Sequence, residues 1–491
     1  MMDWVFFSSI SWDDQGGAHR PTQLARALAS QIPERRRSPN GEGQGGHRVL
    51  FVQVLPAGTP ATEPGIRVIS LDQLGLGEAQ VSRAWYGVEN PAMAPVADNL
   101  ARRLAEFERV VVADPRMGAD SRTSQIPERG GADRRVAVWT IPFAPFVGLF
   151  PLLRQRGYTT VYDCIDDFSG AGETGSYFAS PDAEAFLASA CDRVIGLSQP
   201  LVDKWERVRR VDANAPVELV PDGADPHFRA RGPAPDDLLR GEITLGFWGT
   251  INDYMVDAEA LAQVAHARPD WAFNLIGKYD EDPARPSVAH ALRGLPNVRL
   301  LGHRPHETLM DYLAGLDVCL LPFPNNAFSR GRDPIKVYEY LAGYKPVAAL
   351  NTPQLAGLPF TFVTGAPEEW MRAIETAKRT PVDRAVVDQF LARNSWAMRA
   401  ARLVEIVSRV EPWGGAAQEI GMPGSFHNPG EEPARIRAYM AHLEKAAEER
   451  QAYARRLEEE LRRTDAYIKK LERTHPLLWL KRVWEMVTRA R

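Results

Sequence analysis

The feature that most restricts this chain is an alternation. Short β-branched runs recur along its first two-thirds, with amphipathic stretches of helical period between several of them. Residues 5–9, 48–54, 109–113, 136–140, 160–165, 193–197 and 217–220 read as strands, and 22–29, 99–107 and 182–190 read as helices. A second series of strands follows at 243–248, 271–276, 298–301, 318–321 and 347–350, again with helices between. Strands separated by helices pair in parallel and carry helices on both faces, so the fold class is α/β. Two tandem Rossmann-like domains account for both series, one over 1–222 and one over 240–412. The stretch 224–239, rich in Pro, Ala and charge, is the expected linker. A length of 491 residues accommodates both domains, each with its own core.

Composition removes several function classes. There are 59 Lys and Arg against 63 Asp and Glu, a formal net charge of -4, which disfavours nucleic acid as the main partner. Cys164, Cys191 and Cys319 are odd in number and far apart, so neither a disulfide framework nor a cysteine zinc site is expected, and a reducing compartment is. The N-terminal residues are acidic and lack the basic region of a signal peptide. The long uncharged run 136–153 contains Pro142, Pro145 and Pro151, which suits a strand, a loop and a short helix better than a membrane span. A cytoplasmic chain is expected. The polar loops 30–46 and 121–135 share the string SQIPER and read as surface insertions.

Beyond Trp413 the character changes. Residues 414–432 form a Gly/Pro-rich linker, and 433–491 read as a helical tail. Ile436, Met440, Leu443, Ala447, Ala454, Leu457, Leu461, Ile468 and Leu471 follow steps of four and three, interrupted by polar Arg450 and Thr464. A coiled coil over 433–473, able to join copies into a homo-oligomer, and a single solvated helix both fit. After Pro476, Leu480, Val483, Trp484 and Val487 form a stripe beside Lys481, Arg482 and Arg489. From Lys469 on, seven basic residues stand against two acidic ones. That pattern suits an anionic membrane surface contacted by 476–491, on the inner face of the cell membrane, or a terminal helix packed on the coiled coil.

The chemistry concentrates in SRGRDPIKVYEYLAGYKPVAAL, residues 329–350. Asp333 followed by Pro334 reads as an N-cap acceptor and a first helical position, and Gly343 with Lys345-Pro346 as the stop. The helix start then lies at the carboxyl end of the strand 318–321, where a diphosphate can bind. Lys336 and Glu339 share one face of the helix. The lysine can pair with phosphate, and the carboxylate can accept both hydroxyls of a ribose.

This segment resembles the signature of retaining glycosyltransferases of the GT-B fold, especially glycosyltransferase family 4 (group 1) and its bacterial cell-surface polysaccharide relatives. The family carries two glutamates separated by seven residues, then small residues and a Gly-x-Pro-Val strand. Here the second glutamate is Glu339, and the first falls on Gly331, for which Asp333, Arg330 or Arg332 would have to substitute. The resemblance covers about the first 410 residues. It implies that Gly16 and Gly17, in the loop after the first strand, approach the donor diphosphate, as glycines allow. It places Asp166, with Asp167 beside it, where many relatives keep a histidine near the reacting centre. At the first strand of the donor domain, Gly249 and Thr250 stand in the donor site, but Thr250 and Tyr254 occupy positions where relatives use an Arg and a Lys. That grip on the diphosphate passes to Lys336 first and Lys278 second. His303 and His306 open a helix and read as capping or surface residues rather than a metal pair.

The implied function is sugar transfer from a nucleotide-sugar donor to a hydroxyl acceptor, either a saccharide or lipid-linked. Lys336 and Asp166 are the expected catalytic residues, with Gly16, Gly17, Gly249, Thr250, Lys278, Asp333, Lys336 and Glu339 holding the nucleotide sugar. By resemblance, configuration is retained, no metal is required, and the nucleotide sugar is a co-substrate with no further cofactor. An epimerase or phosphorylase on the same fold is the minor enzymatic alternative. A non-catalytic GT-B scaffold acting through its coiled coil is the alternative of a different class, favoured by the missing first glutamate and Arg/Lys pair.

Overall fold

The computed structural model describes residues 2–9, 11–12, 19–31, 47–54, 63–85, 91–109, 134–168, 181–209, 216–225, 228–280 and 287–410. Gly16, Gly17, both SQIPER strings and the whole tail from residue 411 lie outside these, apart from the first two residues of the first string. So do 110–113 of the expected strand 109–113, while Arg109 itself ends a helix.

The first sheet contains β1 (Asp3–Ser8), β2 (Arg48–Gln53), β3 (Ile66–Ser70), β4 (Arg135–Trp139), β5 (Thr159–Cys164), β6 (Arg193–Gly196) and β7 (Glu218–Leu219). Their spatial order is β3-β2-β1-β4-β5-β6-β7, all parallel. The second sheet contains β8 (Thr244–Trp248), β9 (Ala272–Ile276), β10 (Val298–Gly302), β11 (Val318–Pro322), β12 (Val347–Leu350) and β13 (Thr361–Thr364). It is also parallel, in the order β10-β9-β8-β11-β12-β13. Both orders reverse beside the first strand of their sheet, β1 next to β4 and β8 next to β11. Such a reversal opens a crevice at the carboxyl ends of the strands.

Strand β1 shows why the residues fold this way. All six of its side chains are buried, because helices cover both faces of a parallel sheet. Val5 and Phe7 join the core on one face, and Trp4 and Phe6 the core on the other. Phe6 pairs with Phe51 on one side and Val138 on the other. The uncharged run 136–153 is a strand followed by two short helices, Ala144–Val147 and Phe150–Gln155, as its prolines require. Among the described residues, no helix is long and apolar enough to cross a membrane.

One helix departs from the expected boundary at 412. Trp396–Ser408 follows the second sheet in sequence but packs on the first, where Trp396, Ala400, Leu403, Ile406 and Val407 join the core around Trp4, Phe6 and Leu24. Each such large apolar side chain contributes about 1.5–3 kcal/mol on full burial, enough to fix the helix there. The chain therefore crosses between the sheets twice, once after Val220 and once before Trp396.

Candidate active site

A cavity of about 320 Å³ lies where the carboxyl ends of the two sheets face each other. Its wall on the second sheet begins with the loop after β8. Gly249 there has φ +142, and a Cβ on it would stand 2.7 Å from Lys336 Cε. Only glycine leaves room for the lysine to lie across this loop. Gly277, after β9, is tighter still: a Cβ would meet the Gly249 carbonyl oxygen at 1.7 Å. Thr250 and Lys278 follow these two glycines and line the same cavity.

Lys336 stands on the first turn of the helix Ile335–Ala342, which buries Val337, Tyr338, Tyr340 and Leu341 beneath it. Burial is the largest influence on its ammonium, and the Arg332 charge beside it adds to that, so its pKa is pulled down to about 8 against the opposing pull of Glu339, Asp222 and Asp166. A cation held at this cost beside a helix start suits an incoming anion. The helix ends at Gly343, where a Cβ would stand 2.4 Å from Leu313 Cδ1, and Tyr344 then takes the left-handed turn at φ 57°.

Glu339 lies one turn deeper and is 7% exposed. Trp248 Nε1 donates to its Oε2 at 2.9 Å, and His306 Nε2 sits 2.7 Å from its Oε1. The expectation of a capping or surface histidine is therefore corrected: His306 packs its ring against Phe228, with centroids 5.0 Å apart, and turns its nitrogen to Glu339. Burial works against its charged form, but the hydrogen bond and charge of Glu339, then Glu307 and Asp225, outweigh it and raise its pKa. Among the described residues no His, Cys, Asp and Glu form a group of metal-ligating size. With one donor on each oxygen, the carboxylate is fixed in orientation and keeps lone pairs for further hydroxyl donors.

The opposite wall comes from the first sheet. Asp166 follows β5 and lines the cavity. Burial pushes its carboxyl up to about 6, with Arg332 and Lys336 opposing and Asp222 and Asp167 assisting. Behind it lies a buried ion cluster. Arg20 donates from Nε to Asp163 Oδ2 at 2.9 Å and from Nη2 to Oδ1 at 2.8 Å. Its Nη1 reaches the Pro221 carbonyl at 3.0 Å and Asp222 Oδ1 at 3.2 Å. This fork ties the start of the first helix, Arg20–Ser30, to β5 and to the crossing between the sheets.

Asp333 requires a second correction. Pro334, not Asp333, occupies the N-cap position, and no side chain caps the helix. Asp333 Oδ2 instead accepts from the Asp222 backbone N–H at 2.7 Å and from the Tyr338 hydroxyl at 2.9 Å. It joins the two sheet domains at the base of the cavity, although its residue also lines that cavity. Burial, then the charge of Asp222, pushes its carboxyl up to about 7.

The structure thus brings Asp166, Gly249, Thr250, Lys278, Asp333, Lys336 and Glu339 around one cavity. Of the substitutes considered for the carboxylate absent at Gly331, Arg332 lines the cavity, whereas Arg330 is exposed and donates to Asn325. Arg20, Asp222 and the inward turn of His306 escaped the sequence reading. Arg20 meets its partners 143 and 202 residues away, and no local signal marks such pairs.

Comparison with known proteins agrees with this architecture. Residues 242–377 match the family described as glycosyl transferases group 1. The putative teichuronic acid biosynthesis glycosyltransferase TuaH of Bacillus subtilis (strain 168) is 26% identical over an alignment of 287 residues that covers 55% of this chain and 68% of TuaH. Sucrose-phosphate synthase from Thermosynechococcus elongatus is similar in structure, with a TM-score of 0.52 and 16% identity over 83% of this chain and 99% of that one. HepE of Anabaena, solved in complex with UDP and glucose, gives 0.53 and 12% over 84% of this chain and 100% of its own. At these identities the structural likeness carries the fold, which is GT-B.

Proposed function

We propose that this chain, whose second sheet domain matches the glycosyl transferases group 1 over residues 242–377, is a glycosyltransferase that moves a sugar from a nucleoside-diphosphate donor to a hydroxyl acceptor in cell-surface polysaccharide or glycolipid synthesis. The observation that carries this reading is Lys336, laid across Gly249 at a helix start with Glu339 one turn behind it. Ribose hydroxyls donate to Glu339, and the diphosphate meets Lys336, the helix start and Lys278. The sugar then extends toward Asp166.

In the transfer, the bond from the sugar's anomeric carbon to the diphosphate oxygen breaks and a bond to the acceptor oxygen forms. Charge grows on the departing diphosphate, and fixed positive groups that face it lower the barrier. Lys336 and the helix dipole supply that charge in a partly desolvated site, which supports a transfer without metal or further cofactor. Asp166 faces the acceptor side and orients the attacking hydroxyl. At neutral pH a carboxyl of pKa about 6 is mostly ionised and able to accept its proton. Retention of configuration rests on the resemblance of 329–350 to the retaining family. The cell-surface role is supported by TuaH, whose name places it in teichuronic acid biosynthesis. Residues 476–491 would hold the enzyme at a membrane surface, and a chain lacking 474–491 should then leave the membrane fraction; unchanged fractionation refutes that part.

The test is a thermal-shift screen of nucleoside diphosphates and nucleotide sugars, since a ligand that binds only the folded chain raises its melting temperature. One base should stabilise the chain selectively, and Lys336→Met should abolish release of that diphosphate from its sugar. Stabilisation by no nucleotide would favour the non-catalytic scaffold.

A further inference from the structure

Arg332 lines the cavity with few acceptors for its guanidinium. Its guanidinium stacks over Phe328 at 4.7 Å and lies 5.3 Å from the Phe323 ring. Its Nη1 donates to Met255 Sδ at 2.7 Å, and its Nε stands 3.7 Å from Asp166 Oδ1, beyond hydrogen-bond reach. Among the described residues, no oxygen accepts a hydrogen bond from the guanidinium. Yet its side chain is only 17% exposed. A guanidinium has five N–H donors, thioether sulfur is a weak acceptor, and desolvated donors without acceptors are costly.

The backbone around it is fixed. Ser198 Oγ donates to the Gly331 carbonyl at 2.5 Å, and the Asp222 N–H to Asp333 Oδ2 at 2.7 Å. Both bonds tie the segment 331–333 to the first sheet or to the crossing that leaves it. Only the side chain is left to choose a partner. On one side it faces Asp166 of the other domain. On the other it adjoins Lys336, whose ammonium it depresses. Two cations side by side repel, and an anion placed between them offsets that repulsion, more so the greater its charge.

We propose that Arg332 is a further active-site residue with two competing partners, the Asp166 carboxylate across the cleft and the diphosphate of a bound donor. This rests on the transferase reading above. A diphosphate offers oxygens to both guanidinium and ammonium, with bidentate geometry available to the arginine. When the guanidinium turns to the phosphate, it releases Asp166. The carboxylate that orients the acceptor hydroxyl is then free only while a donor is in place. Donor binding would thereby precede productive acceptor binding, with one side chain enforcing the order.

The competition is measurable without knowing the acceptor. UDP and GDP are titrated calorimetrically into the full-length chain, into Arg332→Gln, into Asp166→Asn and into the double variant, each first checked for unchanged melting. For the diphosphate that binds, Arg332→Gln should weaken affinity at least about tenfold, the usual scale of a charge-assisted pair. Arg332→Lys should recover part of that loss. Asp166→Asn should tighten binding about threefold, as expected for removing a weak competing ion pair. In the Arg332→Gln background the same change should have less than half that effect. Equal tightening in both backgrounds overturns the competition, and unchanged affinity in Arg332→Gln overturns the assignment itself. If these two and every other nucleoside diphosphate of the thermal screen fail to bind the unmodified chain, the transferase reading fails first and this inference with it.

Discussion

Replacing Asp333 by Asn should stabilise the protein at alkaline pH. Asp333 is 8% exposed, and its carboxyl is pushed up to about 7 by burial and by Asp222. An acid with a higher pKa in the folded chain than in the unfolded one binds more protons when folded. Stability therefore falls as pH rises from about 4, the unfolded value, to about 7, and is flat beyond. A rise of about three units corresponds to ~4 kcal/mol, part of which belongs to Asp222, so the carboxylate costs on the order of 2–4 kcal/mol at pH 8. Both hydrogen bonds to Asp333 end on Oδ2. The Asn oxygen can accept both, while its amide takes the place of Oδ1, so the substitution removes charge without orphaning either donor. Urea unfolding of both proteins at pH 4.5, 6 and 8, followed by tryptophan fluorescence, reads the difference. The Asn variant should match the parent near pH 4.5 and exceed it by about 2–4 kcal/mol at pH 8. A variant less stable at pH 8, or a difference that does not change with pH, would refute the reasoning.

Other substitutions separate binding from folding. Gly249→Ala places a Cβ 2.7 Å from Lys336 Cε at a φ of +142; we expect a loss of about 1–3 kcal/mol in stability and at least about tenfold weaker nucleotide binding, by calorimetry. Diphosphate binding should keep Lys336 charged, so affinity should hold below its pKa of about 8 and fall about tenfold per pH unit above it, a slope that Lys336→Met should lack. Arg20→Met leaves Asp163 and Asp222 buried without their fork, and should cost about 3–5 kcal/mol in urea unfolding at pH 8 but less at pH 5, where a carboxyl can protonate. Glu339→Gln preserves an acceptor for Trp248, whereas Glu339→Ala orphans that indole; both should lose nucleotide affinity, but only the alanine variant should also lower the melting temperature.

The central strands were legible because they are buried on both faces and read as continuous β-branched runs. Two of the four edge strands, β3 and β13, were not. IRVIS in β3 leaves Arg67 exposed, and TFVT in β13 is only half-buried throughout, so neither stands out from a loop. The helix Trp396–Ser408 was placed with the wrong sheet, since an apolar stripe states that a face is covered but not by what. The site divides the same way. Lys336 and Glu339 share one helix face, a relation local in sequence. Asp333 misled for the same reason: Asp-Pro is a strong local signal for an N-cap, and only the approach of Asp222, 111 residues earlier, shows what the carboxylate holds. His306 meets Glu339 across 33 residues, and Arg332 faces Asp166 from the other domain. These pairings arise from the packing of elements distant in sequence, within one domain or across two, which no window of sequence contains.

The most direct measurement is a crystal structure with the nucleoside diphosphate that the thermal screen selects. Donor binding in this cleft predicts the ribose hydroxyls on Glu339 and the terminal phosphate on Lys336 at the start of the helix Ile335–Ala342. A diphosphate bound elsewhere, or one whose phosphate leaves Lys336 untouched, would contradict it.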